Sequence, residues 1–369
     1  MKKSVWISMI VAAALVLAGL ACIAVGHALG GHTFLTQGDE SMGKTVQITH
    51  HEDRDFDRIR IDVLSADVEL IPSEDDKCRV MIKDHEKVEY TVRVVEDTLT
   101  VHATDKRAWY QHLLGGLPTD SSVKIALPKE AFKSLYVNTT SGDVNLNVRY
   151  TFSEDVTLTS NSGTIGTAAS VDGHLELRDA SGDIFAMGFL NTVTARTVSG
   201  DISLGGTTVD GGCTTSDVKL KSTSGDIAVR KATLNGLTVD VGSGDIALDS
   251  LTVTDAIHAN NVSGDVLLLH VTCGELDVEA TSCSVELIDS TVAGHLSIKT
   301  GSGDVHLERA DAETLYVKTV SGFVKGSLRT PKVFYADTSS GSVDVPKSTE
   351  GGLCEIKTTS GDIRIIVEE

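Results

Sequence analysis

Thr223-Ser224-Gly225-Asp226-Ile227-Ala228-Val229 is the stretch whose reading decides the fold. Ser-Gly-Asp recurs with Gly142-Asp143, Gly182-Asp183, Gly200-Asp201, Gly225-Asp226, Gly244-Asp245, Gly264-Asp265, Gly303-Asp304 and Gly361-Asp362. Weaker copies begin at Ser162, Ser282, Ser321 and Ser340. Successive serines lie 21, 19, 18, 25, 19, 20, 19, 20, 19, 19 and 20 residues apart. A period near 20 residues is the signature of a repeat architecture.

Each motif is followed by apolar residues three and five places on, as at Ile227/Val229, Ile246/Leu248 and Val305/Leu307. A second alternating pair precedes the next serine, as at Val218/Leu220, Leu276/Val278 and Leu315/Val317. Alternation with period two demands strands with one face turned inward. Twenty residues hold two or three such strands and no crossover helix, so equivalent strands must pair between repeats. The prediction is an all-β, parallel β-solenoid of about twelve 20-residue coils over 129–369. No proline occurs between Pro128 and Pro331, as expected where backbone N–H groups donate to a neighbouring coil.

Glycine at the centre of the motif predicts a tight corner that needs positive φ or close backbone approach, with Ser and Asp bonding the turning chain. Cys283 replaces that glycine and predicts a distorted corner. The stacked aspartates could alternatively ladder calcium. Calcium-binding β-rolls, however, repeat every nine residues with denser Gly and Asp, and that period is absent.

Upstream, Val5 to Val25 is apolar except for Ser8 and follows Lys2 and Lys3. Its length suits a transmembrane anchor (5–25), with a cytoplasmic stub (1–4) and everything beyond a tether (26–44) outside the cell. A cleavable signal peptide is the competitor, and it also places the body outside. Residues 45–128 alternate without the motif and read as an N-terminal β capping portion. Within it, Ser65-Ala66-Asp67-Val68-Glu69-Leu70 resembles a decayed first copy. Trp109 and Tyr110 read as cap packing. At the other terminus, Ile363, Ile365, Ile366 and Val367 are expected at an open end, with Glu368-Glu369 guarding it against edge pairing.

Aromatic residues make up only 4% of the chain and the net charge is −20. Such a body repels nucleic acid and favours cations or basic partners. No cluster of basic residues stands out in the coils. Six cysteines form no CxxC pair, so zinc has no support and buried free thiols are expected. No HExxH, phosphate loop, dinucleotide fingerprint or nucleophile elbow is present. No catalytic, cofactor or metal residue is therefore assigned.

The apolar N-terminus, Ser65-Ala66-Asp67-Val68-Glu69-Leu70-Ile71-Pro72 and the Thr-x-Ser-Gly-Asp-Ile/Val-x-Leu repeats together resemble the bacterial putative-adhesin family of β-strand-repeat domains of unknown function. That resemblance covers nearly the whole chain. It implies a surface-exposed solenoid and carries no catalytic residues. The expectation is a non-enzymatic, single-pass extracellular scaffold that meets an envelope protein or glycan and can associate end to end. A polysaccharide-binding or polysaccharide-degrading enzyme and an accessory to an envelope-stress sensor are the alternatives.

Overall fold

The computed structural model describes residues 45–106, 121–146, 149–188, 191–205 and 213–368. The apolar run at 5–25, the tether at 26–44 and Trp109-Tyr110 lie outside these residues. Among the described residues no helix is long and apolar enough to cross a membrane.

The chain winds as a parallel β-solenoid of about eleven turns, one fewer than the repeat count suggests. Strands after the corner stack in register through Ile202, Ile227, Ile246, Val266, Val285, Val305 and Val324. Strands before the corner stack through Leu135, Val156, Leu175, Val193, Val218, Leu237, Ile257, Leu276, Leu296 and Leu315. Like side chains thus lie on like in adjacent coils, and one hydrophobic core runs from Phe56 to Ile365. Near the N-terminal end the third side is short. There Phe56, Phe132 and Phe152 stack with centroids 5.9 and 6.2 Å apart.

A second corner lies seven residues after each serine in the later coils. Lys231, Ser250, His270, Asp289 and Arg309 all adopt φ of 48–57° there. Left-handed backbone is uncommon for residues with a Cβ, and no shared residue type marks this corner in the sequence. At Asp289 and Arg309 the half-buried side chains form ion pairs along the axis. Arg309 grips both oxygens of Asp289 at 2.6 and 2.7 Å, and Arg329 reaches the same carboxylate at 3.2 Å. Those cations hold the Asp289 carboxyl down at about 2.

Sequence order and spatial order part company at both ends. The first coil, Arg58–Asp62 with Asp67–Pro72, is not outermost. It lies between Ser134–Asn138/Val144–Leu146 and the layer Thr98–Asp105/Ser122–Leu127. Antiparallel strands Cys78–His85 and Val88–Val95 then close that layer, and Thr45–Glu52 pairs with the former. At the other end, Leu353–Ser360 and Ile363–Val367 sit between Val305–Ser321/Val324–Leu328 and Val333–Ser340/Val343–Asp344.

This corrects the expected open end. Ile363 and Ile365 are buried, while Val333, Tyr335 and Val343 are exposed on the terminal coil. Glu368 donates its backbone N–H to Leu328 O at 2.9 Å rather than guarding an edge.

Candidate functional site

The recurring motif is consumed by the solenoid itself. A Cβ on Gly225 would lie 2.0 Å from Gly200 O, and one on Gly303 would lie 2.0 Å from Cys283 O. Only Gly225, Gly244, Gly264 and Gly361 of the motif also have positive φ. Close approach between coils is therefore the general reason for glycine, and backbone handedness is a local one. Each aspartate accepts from the backbone N–H of the equivalent residue one coil on. Asp201 N donates to Asp183, Asp226 N to Asp201, Asp245 N to Asp226 and Asp265 N to Asp245, all at 2.8 Å. Asp67 and Asp143 do the same at the start of the column, Asp304 and Asp362 toward its end.

The hydroxyl residue two places before the serine completes the corner. Thr139, Ser160, Thr197, Ser222, Thr300, Thr319, Thr338 and Thr358 each donate to the carbonyl of the corner residue in the adjoining coil, at 3.0–3.4 Å. Asn261 does so through its amide at 3.0 Å. At the Cys283 coil Ala280 leaves this place without a donor, and Cys283 Sγ turns to Asn261 O at 3.3 Å.

Asp179 breaks the pattern, because it stands where its counterparts donate. Its Oδ1 accepts from Ser181 N at 2.8 Å. Its Oδ2 is buried without a partner, 3.1 Å from the place a Cβ on Gly182 would take. Thr319 Oγ1 and Thr338 Oγ1 are 3.2 Å from the same point on Gly322 and Gly341. The carboxyl therefore occupies the hydroxyl's seat, where only its protonated form supplies a hydrogen. Burial, opposed by the Ser181, Gly182 and Ala180 amides and aided by Asp183, raises it to about 6.

With the motif committed to structure, recognition falls to the outer face of the strands before the corner. One outward column runs in register through Arg178, Arg196, Lys221, Asp240, Asn260, Glu279, Lys299, Lys318, Lys357 and Asp337. Two runs of three cations thus flank an acidic and neutral middle, with Lys219 beside Lys221. The expectation of no basic cluster is corrected here. These residues lie 18–39 positions apart in sequence and meet only because coils stack. Arg178 is tied to Glu176, Lys299 to Glu279 at 2.9 Å, and Lys357 to Glu355. Arg196, Lys219, Lys221 and Lys318 have no ion pair among the described residues.

A groove of about 640 Å³ opens in this face. Asn260, Glu279, Thr281, Lys299, Gly301 and Lys318 line it. Its depth comes from the residue just before each corner serine. Val262 and Val320 stand 55% and 49% exposed on either side, while Gly301 between them has no side chain. Lys357 Nζ lies 5.8 Å above the Tyr335 ring beyond the groove. Among the described residues no three His, Cys, Asp or Glu side chains are placed to hold a metal. Cys78, Cys273, Cys283 and Cys354 are buried free thiols. Burial pushes Cys273 and Cys354 up to about 12, which disables them as nucleophiles.

The sequence profile described as Toastrack DUF4097 matches residues 56–267 and 187–365, which together span most of the chain. No curated protein matches. Solved structures with a similar course include a putative adhesin from Bacteroides fragilis NCTC 9343, at 12% identity over 89% of this chain and 100% of that one, TM-score 0.26. A putative lipid binding protein from Parabacteroides distasonis ATCC 8503 shares 13% identity over 88% and 97%, TM-score 0.25. A putative adhesin from Parabacteroides merdae ATCC 43184 shares 13% over 88% and 97%, TM-score 0.27.

Proposed function

The chain belongs to the Toastrack DUF4097 family, and from that premise we propose that it is a non-enzymatic, membrane-anchored scaffold outside the cell. It presents the outer face of its pre-corner strands to an envelope component. The observation that carries this reading is the contrast between its two polar columns. The Ser-Gly-Asp column spends its aspartates on the neighbouring coil, while the outward face leaves Arg196, Lys219, Lys221 and Lys318 without an ion pair among the described residues, Lys318 in the lining of an open groove. The apolar run Val5–Val25 behind Lys2 and Lys3 supports an anchor with a cytoplasmic N-terminus. Buried, deprotonation-resistant thiols support a binding rather than a catalytic role.

The test is retention of labelled envelope fragments on the immobilised full-length protein. Retention should fall when Arg196→Glu and Lys318→Glu are combined. Loss of glycan mass on incubation with the wild type would replace the binding role with an enzymatic one. Wild-type protein that retains no envelope material would remove the proposed role.

A further inference from the structure

Resting on that reading, we propose that the cation column and its groove bind a linear acidic polysaccharide in which charged and neutral sugars alternate, laid along the solenoid axis. Three features point to this class. The first is length. Arg178 to Lys357 spans eight coil steps in the register of the sheet, or roughly 38 Å at about 4.8 Å per step. A single small anion occupies one or two of those steps, whereas an extended chain meets them all.

The second is the pattern of charge. A body of net charge −20 repels polyanions in general. Positive charge in the column is confined to Arg178-Arg196-Lys221 and Lys299-Lys318-Lys357, of which Arg196, Lys221 and Lys318 carry no ion pair among the described residues, and Asp240 and Glu279 lie between the two runs. A polymer charged on every unit meets those carboxylates with like charge. A chain with neutral, hydroxyl-bearing sugars between its acids places hydroxyls there, and carboxylates accept from hydroxyls.

The third is the groove itself. At about 640 Å³ it falls within the size of small-ligand sites. Its lining mixes an amide (Asn260), a hydroxyl (Thr281), an acceptor (Glu279) and two ammonium groups (Lys299, Lys318). Hydroxyls and acids of a sugar chain need that mixture, and the exposed Val262 beside it offers an apolar contact for a sugar ring face. Lys318 faces the groove without an ion pair among the described residues, so a glycan carboxylate gains a partner there without breaking one.

The probe is a fluorescent hyaluronate dodecasaccharide, whose uronates alternate with N-acetylated neutral sugars, titrated with the full-length protein at low salt. Its methyl ester serves as the neutral isostere, and inorganic polyphosphate as a uniformly charged chain. Saturable binding is expected, weakening as salt is raised. The ester should bind at least about tenfold more weakly, consistent with loss of charge pairing. Lys318→Gln and Arg196→Gln, both exposed and on opposite sides of the middle, should each lower affinity several-fold without changing the thermal midpoint.

Binding of the ester as tight as that of the acid, or polyphosphate bound more tightly than hyaluronate, overturns the proposal. So does a lack of saturable binding at millimolar sugar. If hyaluronate fails while envelope fragments are still retained through Arg196 and Lys318, the glycan assignment falls and the scaffold role stands. If neither binds, both fall.

Discussion

Replacing Asp179 with threonine should stabilise the protein at neutral pH and do nothing in acid. In its coil the carboxyl sits where Thr319 and Thr338 place a hydroxyl, and its Oδ2 has no donor to accept from. Burial raises the folded carboxyl to about 6 from an ordinary 3.8. A raised pKa contributes stability that is fully present below the unfolded value and is lost as pH rises through the folded one. Between those two values the unfolded chain gives up a proton that the folded chain keeps, so unfolding becomes easier with each pH step. At about 1.4 kcal/mol per unit, the full difference approaches roughly 3 kcal/mol by pH 7.

Asp179→Thr removes the titrating group and supplies the donor at every pH. Urea midpoints of wild type and variant should coincide near pH 3.5 and diverge through pH 6, with the variant ahead on the neutral side. Hydrogen exchange over 175–205, corrected for intrinsic rates, should show the same divergence locally. A gap between the two proteins that stays constant from pH 3.5 to 7.5 would refute the reasoning, because the carboxyl would then not be titrating in that window.

Gly303→Ala tests the corner sterics alone, since its φ is not left-handed, and should cost more than about 3 kcal/mol by urea unfolding. Thr319→Val keeps the shape but leaves Gly303 O without its buried donor, a loss of about 1–2 kcal/mol by the same measurement. Cys78, Cys273, Cys283 and Cys354 should resist a thiol reagent at pH 8 until denaturant is added. Rapid labelling of any of them in the folded protein, mapped by mass spectrometry, contradicts their placement. Deleting 353–369 should release Val333–Ser340 from the stack, seen as new proteolytic cleavage between 330 and 350.

The period of the serines, the alternation of Ile227 with Val229 and the glycine at the corner made the solenoid legible before any coordinates. Three things stayed hidden, each for a physical reason. The second corner has no common residue, because Lys231, Ser250, His270, Asp289 and Arg309 tolerate the same φ through local backbone fit rather than side-chain identity. The cation column joins residues of neighbouring coils, so Arg196 and Lys221 look isolated along the chain and adjacent only across it. The aspartate ladder was visible as a column, but its partner was not. The backbone N–H that Asp226 accepts from Asp245 leaves no mark in the sequence. Asp179 carried a usable signal, an acid among threonines and serines two places before the corner, which only the hydroxyls' role makes meaningful.

The exchanged order of coils at the two extremities governs how such a rod can lengthen or shrink over generations. The outer layer Val333–Asp344 is joined to described chain at both of its own ends, so it cannot fray as a loose tail. Leu353–Val367 lies beneath Val333–Asp344, so a segment later in the sequence fills the inner layer. Duplication or loss of a repeat is therefore accommodated most simply between Leu135 and Leu315, where sequence order and stacking order agree.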